Sequence, residues 1–211
     1  MSTLYDQSLR EIIKISSSES PTPGGGSISA IAATLGLAMA AMVCNLTIGK
    51  DKYKDVESQV TGYLAAAEGL TGKLIELTEE DIKIFNKLMS AYRMPGIAEE
   101  EKKLRKNAVQ QALKGATEVP MEIARACLQA LQVTNKLSEI GNKAAISDAG
   151  VAAVMIEAAL HGVLLNVDIN TPAIKDRNYT DRILAEKEKM MEEAGKLKDQ
   201  ALAVVRGRIK S

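Results

Sequence analysis

The sequence contains no tryptophan, one phenylalanine, one histidine (His161) and two cysteines, Cys44 and Cys127. A single histidine excludes a metal site built on two His ligands and any Ser-His pairing not centred on His161. The two cysteines lie far apart, each in an apolar run, which predicts buried reduced thiols rather than a disulfide framework. No charge sign prevails, with 27 Lys plus Arg against 27 Asp plus Glu. That balance, without a basic block, argues against nucleic acid or an anionic membrane surface as a partner. The N-terminus, MSTLYDQSLREII, lacks a basic region followed by an apolar one. No secretory signal is therefore expected, and a cytoplasmic protein is.

What the chain does hold is apolar volume without rings. Ala, Leu, Ile, Val and Met carry most of a 46% hydrophobic content, a composition that suits helices and their close approach. A length of 211 residues is enough to bury a core and fits one domain spanning 1–211. Helical periodicity dominates and no run alternates in the manner of a strand. Helices are predicted over about Thr3–Ile15, Ser27–Ile48, Tyr53–Arg93, Glu99–Ser138, Ser147 to between Asn166 and Asn170, and Tyr179–Ile209. The breaks are the Ser/Pro/Gly segment at 16–26, Met94-Pro95-Gly96 and Thr171-Pro172, and Pro120 should kink or restart the fourth helix. The fold class this predicts is all-α, an antiparallel bundle of long helices. The second helix is long enough to span a bilayer, but Ser29, Thr34, Asn45 and Thr47 interrupt it and mark it as a core helix. Being apolar nearly all round, it needs more cover than one bundle supplies, so a homodimer is expected.

The third helix carries the most regular pattern. Val56, Val60, Tyr63, Ala67, Leu70, Leu74, Leu77, Asp81, Ile84 and Leu88 follow alternating steps of four and three, which makes a core-facing stripe. One member is a carboxylate. An ionised acid in such a stripe needs a cation, a raised pKa or a cavity, so Asp81 is either half of a structural ion pair, a member of a locally shifted stripe, or a site acid.

Two further segments hold chemistry-bearing residues. Pro21-Thr22-Pro23-Gly24-Gly25-Gly26-Ser27 leads into the second helix, where backbone N–H groups at a helix start can hold a carboxylate or phosphate. The plainer alternative is a turn with Ser27 as an ordinary N-cap. No Lys-Ser/Thr pair follows the glycines, so this is not a Walker loop. The second segment is Gly141-Asn142-Lys143 followed by Ile146-Ser147-Asp148-Ala149-Gly150, where Ser147 or Asp148 can also be only a helix cap. Asp148, Ala152, Met155, Ala159, Gly162 and Asn166 share a helix face, but Asp148 and Asn166 are about 27 Å apart at 1.5 Å per residue. They do not reach one reacting centre. His161 is expected to be structural or solvated, and the charged run from Lys187 to Lys198 to be a solvated face.

Taken in order, PTPGGGSISAIAATLGLAMAAMVCNLTIGKDKY, DIKIFNKLMSAYRMP and GNKAAISDAGVAA with NVDIN make the chain resemble the cyclodeaminase/cyclohydrolase family over nearly its whole length. That family includes the cyclodeaminase part of formiminotransferase-cyclodeaminase and the stand-alone methenyltetrahydrofolate cyclohydrolases. The resemblance implies an all-α homodimer acting on one-carbon units of a tetrahydrofolate substrate, with no metal and no tightly bound cofactor. A stand-alone chain is more similar to the cyclohydrolases, which open the methenyl bridge to the formyl compound. The alternative is a cyclodeaminase, closing formimidoyl-tetrahydrofolate with loss of ammonia. A non-catalytic folate-binding helical oligomer is the reading from another class. On the enzyme reading, Asp81 is the first choice of catalytic acid/base and Asp148 the second. Gly24, Gly25, Gly26 and Ser27, with Asn142 and Asn166, are the candidate substrate-binding residues.

Overall fold

The computed structural model describes residues 3–210, and these are all-α. Six helices, α1 (Leu9–Ser16), α2 (Gly25–Thr47), α3 (Glu57–Tyr92), α4 (Glu99–Ile140), α5 (Ile146–Asn170) and α6 (Arg177–Lys210), are joined by short segments, several of them single 3₁₀ turns. The five long helices make the body: α2 packs on α3 and α5, α4 packs on α3, α5 and α6, and α5 also packs on α6. Leu37, Leu74, Met121, Ile123, Leu131, Ile156, Leu160 and Leu164 are fully buried between them. Each such side chain contributes about 1.5–3 kcal/mol of transfer free energy. Small residues set the α2–α5 spacing. A Cβ on Gly36 would lie 2.7 Å from Ile156, and one on Gly162 would lie 2.9 Å from the Ser29 hydroxyl.

The α3 stripe faces inward as its spacing predicts, with Val60, Ala67, Leu74 and Leu88 buried and the intervening members half-buried. Several helix limits differ from the expected ones. The first predicted helix is a 3₁₀ turn at Leu4–Asp6 followed by α1, with Ser8 capping Glu11 N–H at 3.2 Å. Likewise α3 is preceded by a 3₁₀ segment, Asp51–Val56. Neither Ser147 nor Asp148 caps α5, which starts at Ile146 with Ala145 in the cap position.

Pro120 does not interrupt α4. A proline has no N–H to give the carbonyl of residue i−4, here Ala116. The Asn170 amide, from the end of α5, donates to that Ala116 carbonyl at 2.8 Å and takes the missing place. The charged run on α6 also departs from a solvated face. Lys187 is buried, with its ammonium 2.6 Å from Asp168 Oδ1, and Met190 and Ala194 are buried beside it. Between α4 and α6, Arg125 binds Glu186 through two nitrogens, at 2.6 and 2.9 Å, and also reaches Glu118 and Glu122 on its own helix at 2.7 Å each.

Two stretches, Gly25–Thr47 and Lys143–Ala173, are long and apolar enough to cross a membrane by length and composition, and only half of the most apolar part of each is buried. Leu35 on α2 and Val154, Leu165 and Ile169 on α5 stand exposed on this surface.

Candidate active site

The start of α2 meets the middle of α3. Gly24 occupies the N-cap position and has no side chain with which to cap, so α2 begins two residues earlier than expected and Ser27 lies within its first turn. Ser27 is fully buried, and its hydroxyl donates to Asp81 Oδ2 at 2.7 Å. Asp81 therefore does from a neighbouring helix what a capping side chain does locally, placing a carboxylate against the positive end of α2. Gly26 makes this approach possible: a Cβ there would lie 2.5 Å from Asp81 Oδ1 and 2.7 Å from Oδ2.

Asp81 is half-buried and has no cationic partner within ion-pair distance among the described residues. Burial pushes its carboxyl above the ordinary carboxylate range, and the hydroxyl and backbone N–H of Ser27 offset this only in part. The structural ion pair that would explain an acid in the stripe is thus not there. A carboxyl so placed can take a proton and return it, and when ionised it stabilises positive charge beside it.

Asn166, near the end of α5, reaches the same end of α2. Its amide nitrogen donates to Val163 O at 3.2 Å and would lie 3.8 Å from a Cβ on Gly25. Gly24, Gly25, Gly26, Ser27, Asp81 and Asn166 are therefore gathered at one end of the bundle. Tyr5, Thr34 and Thr78 extend this polar seam: the Tyr5 hydroxyl lies 3.3 Å from Thr34 Oγ1 and 3.4 Å from Thr78 Oγ1, between α2 and α3. Sequence reasoning passed over these three. The available signal was Thr78 one turn before Asp81, and Thr34 within an apolar helix.

Asn142 and Asp148 are not part of this gathering within one chain. Asn142 lies at the far end of α2, where its amide donates to Leu46 O at 2.6 Å and its backbone N–H to Thr47 Oγ1 at 2.8 Å. Its Oδ1 accepts from Ala144 N–H and from the Tyr53 hydroxyl. It is a clasp that ties the α4–α5 connection to the last turn of α2. Asp148 is half-buried in the first turn of α5, at the opposite end of that helix from Asn166. His161 faces Glu157 on its own helix at 3.4 Å. Both cysteines are buried and free, and burial pushes the Cys44 thiol up to about 11 and the Cys127 thiol up to about 12, which leaves neither available as a thiolate. Among the described residues no three His, Cys, Asp or Glu side chains cluster in a way that could hold a metal ion.

Comparison with known proteins places this geometry in a lineage. The sequence profile of the formiminotransferase-cyclodeaminase family matches residues 8–189. The methenyltetrahydrofolate cyclohydrolase of Methylorubrum extorquens is 39% identical over 192 residues, covering 91% of this chain and 92% of that protein. The formimidoyltransferase-cyclodeaminase of Rattus norvegicus is 30% identical over 203 residues, but the match covers only 37% of that longer protein. The crystal structure of formiminotetrahydrofolate cyclodeaminase from Thermotoga maritima superposes with a TM-score of 0.87 at 31% identity, covering 96% of this chain and 98% of that one. The chain belongs to the formiminotransferase-cyclodeaminase family, as its cyclodeaminase-type helical unit.

Proposed function

We propose that the chain is a methenyltetrahydrofolate cyclohydrolase, hydrolysing the methenyl bridge of 5,10-methenyltetrahydrofolate to 10-formyltetrahydrofolate. The observation that carries this reading is Asp81: a carboxyl without a cation among the described residues, held at a glycine-rich helix start, in a chain that matches a methenyltetrahydrofolate cyclohydrolase over 91% of its own length and 92% of that protein's. The substrate carbon is an amidinium-like cation between two nitrogens, so an ionised Asp81 beside it stabilises the ground-state charge and positions water. Water oxygen bonds to the carbon and one water proton passes to Asp81. The bond from that carbon to N5 then breaks as N5 takes up a proton, and the formyl group remains on N10. One proton is released overall, so the charges balance without a metal or a bound cofactor. The N–H groups at Gly25 and Gly26 and the amide of Asn166 are available to polar edges of the substrate.

Cyclodeamination of formimidoyl-tetrahydrofolate is the second reading, favoured by the likeness to the Thermotoga maritima protein. It needs the same folate pocket and the same proton transfers. An assay offering both folates side by side, followed by absorbance of the methenyl chromophore, separates them. Loss of the methenyl signal without ammonia supports the first reading; ammonia release with a growing signal supports the second. Folate binding without turnover of either would leave a non-catalytic binding protein.

The antiparallel bundle is, on this reading, completed by a second copy of the chain in the cytoplasm. The half-exposed apolar face of α2 and α5 supports the homodimer, as does the apolar groove between α1 and α2 lined by Ile12, Ile13, Ile28, Ile31 and Leu35.

A further inference from the structure

The segment that precedes α1 lies against the helix that carries Asp81. Its 3₁₀ turn, Leu4–Asp6, packs on α3: the Leu4 side chain is buried and its N–H donates to Glu79 Oε1 at 2.7 Å. Gln7 closes the turn by donating its N–H to Leu4 O. From this turn the Tyr5 hydroxyl enters the seam between α2 and α3, where it meets Thr34 and Thr78. Thr78 and Asp81 share a face of α3 one turn apart, about 4.5 Å of rise at 1.5 Å per residue. Thr34 stands two turns beyond Ser27 on α2.

The protons in this seam are already assigned. Thr34 gives its hydroxyl proton to Ile31 O at 2.7 Å, and Thr78 gives its own to Leu74 O at 2.8 Å. The Tyr5 proton is therefore the one shared with the two threonine oxygens, at 3.3 and 3.4 Å. The phenol oxygen itself accepts nothing among the described residues. Gln7 Oε1 is closed off from solvent and also accepts no hydrogen bond among them. A buried acceptor left without a donor is costly, and such an atom calls for a partner. Gln7 follows Tyr5 by two residues, a reach of at most about 7 Å, so both unfilled oxygens come from one short stretch of chain.

We propose that Tyr5 and Gln7 bind the pyrimidine edge of the substrate's pterin ring, the 2-amino group donating to Gln7 Oε1 and N3–H to the Tyr5 oxygen. The proposal rests on the folate reading above. Two adjacent N–H donors on a flat ring match two oxygens that have none. The methenyl carbon, on the opposite side of the two-ring system, is then left toward Asp81. The segment that carries both residues is held to α2 and α3 by the Glu79 bond, the long Tyr5 contacts and the Leu4 side chain, so it can shift to admit the ring. A site built on such acceptors rejects a ring that lacks the donors.

The test is calorimetry with tetrahydrofolate and with its 2-desamino-2-methyl analogue, which keeps both rings and loses the amino donor. Neither carries the reacting carbon, so binding is read apart from turnover. Wild-type protein should bind tetrahydrofolate about tenfold more tightly than the analogue, the scale of one hydrogen bond. Gln7→Met, similar in length but without the acceptor, should lose that preference by weakening tetrahydrofolate alone. Its melting temperature should hold or rise, because an unfilled buried oxygen is removed. Gln7→Glu, which keeps an acceptor, should keep the preference. Tyr5→Phe should weaken both ligands severalfold, since both retain N3–H. Equal wild-type affinities, a preference that survives in Gln7→Met, or one lost in Gln7→Glu overturns the assignment and leaves the cyclohydrolase reading intact. A Gln7-dependent preference in a protein that does not turn over methenyltetrahydrofolate sustains the assignment and removes the cyclohydrolase. No binding of tetrahydrofolate by the wild type removes both.

Discussion

Ser27 and Asp81 are 54 residues apart in sequence, and the 2.7 Å hydrogen bond between them joins the first turn of α2 to the middle of α3. The bond favours the ionised carboxylate against the burial that opposes it. Ser27→Ala should therefore raise the Asp81 pKa further. If Asp81 must be ionised to receive a proton from water, the rate rises with pH through its pKa, and this variant should shift that acid limb to higher pH. The stability cost should be about 1–3 kcal/mol, because a charge-assisted hydrogen bond is lost in a partly buried place. A pH–rate profile unchanged by the substitution would detach Asp81 from the titration that governs activity.

The pair formed by Asn170 and Pro120 gives a prediction independent of catalysis. Asn170→Ala should cost about 1–3 kcal/mol by leaving the Ala116 carbonyl unpaired inside the structure. In a Pro120→Ala background, residue 120 regains an N–H for that carbonyl, so the same Asn170 substitution should cost much less. Urea denaturation of the two single variants and the double variant measures this coupling. Additive losses would show that the amide does not serve the carbonyl the proline leaves free.

Leu35 and Val154 test the second copy. Both are exposed on the apolar face of α2 and α5. The wild type should sediment as a dimer at micromolar concentration, and Leu35→Glu or Val154→Glu should give monomers that remain helical. A wild-type monomer at that concentration would contradict the homodimer and leave the face to another cover.

How far the sequence revealed this structure depended on whether the governing contact was local. The α3 stripe was legible because its three-and-four spacing is a property of the helix itself, and it singled out Asp81 by the cost of a carboxylate in apolar company. That Asp81 has no cation among the described residues, and that Ser27 is its partner, required the tertiary contact between α2 and α3. The start of α2 was misplaced because Gly24 has no side chain to announce a cap, while the true acceptor is supplied by another helix. Pro120 pointed to a kink or restart of α4, and the helix continues through it because the compensation comes from Asn170, at the end of the next helix. Lys187 looked solvated among charged neighbours, yet Asp168 draws its ammonium in and the stem follows. Asn142 stood beside a plausible helix cap and was assigned to binding, whereas its polar groups are engaged in holding the end of α2.

The most direct test of the central claim is one measurement pair, turnover and melting temperature, on Asp81→Asn. The amide is nearly isosteric but has no charge and no proton to exchange, so the rate on methenyltetrahydrofolate should fall about a hundredfold or more. Stability should hold at neutral pH, because no cation is stranded. Its pH dependence should also change. The raised pKa means that the folded wild type keeps a proton that the unfolded chain has released, a contribution that favours folding below the ordinary carboxylate range and is lost as pH rises through the raised value. The variant should lack that decline. Asp148→Asn, measured alongside, should retain turnover within a few-fold. Near-normal turnover of Asp81→Asn in a protein destabilised by several kcal/mol would contradict the account, returning Asp81 to a structural role and moving the catalytic assignment to Asp148.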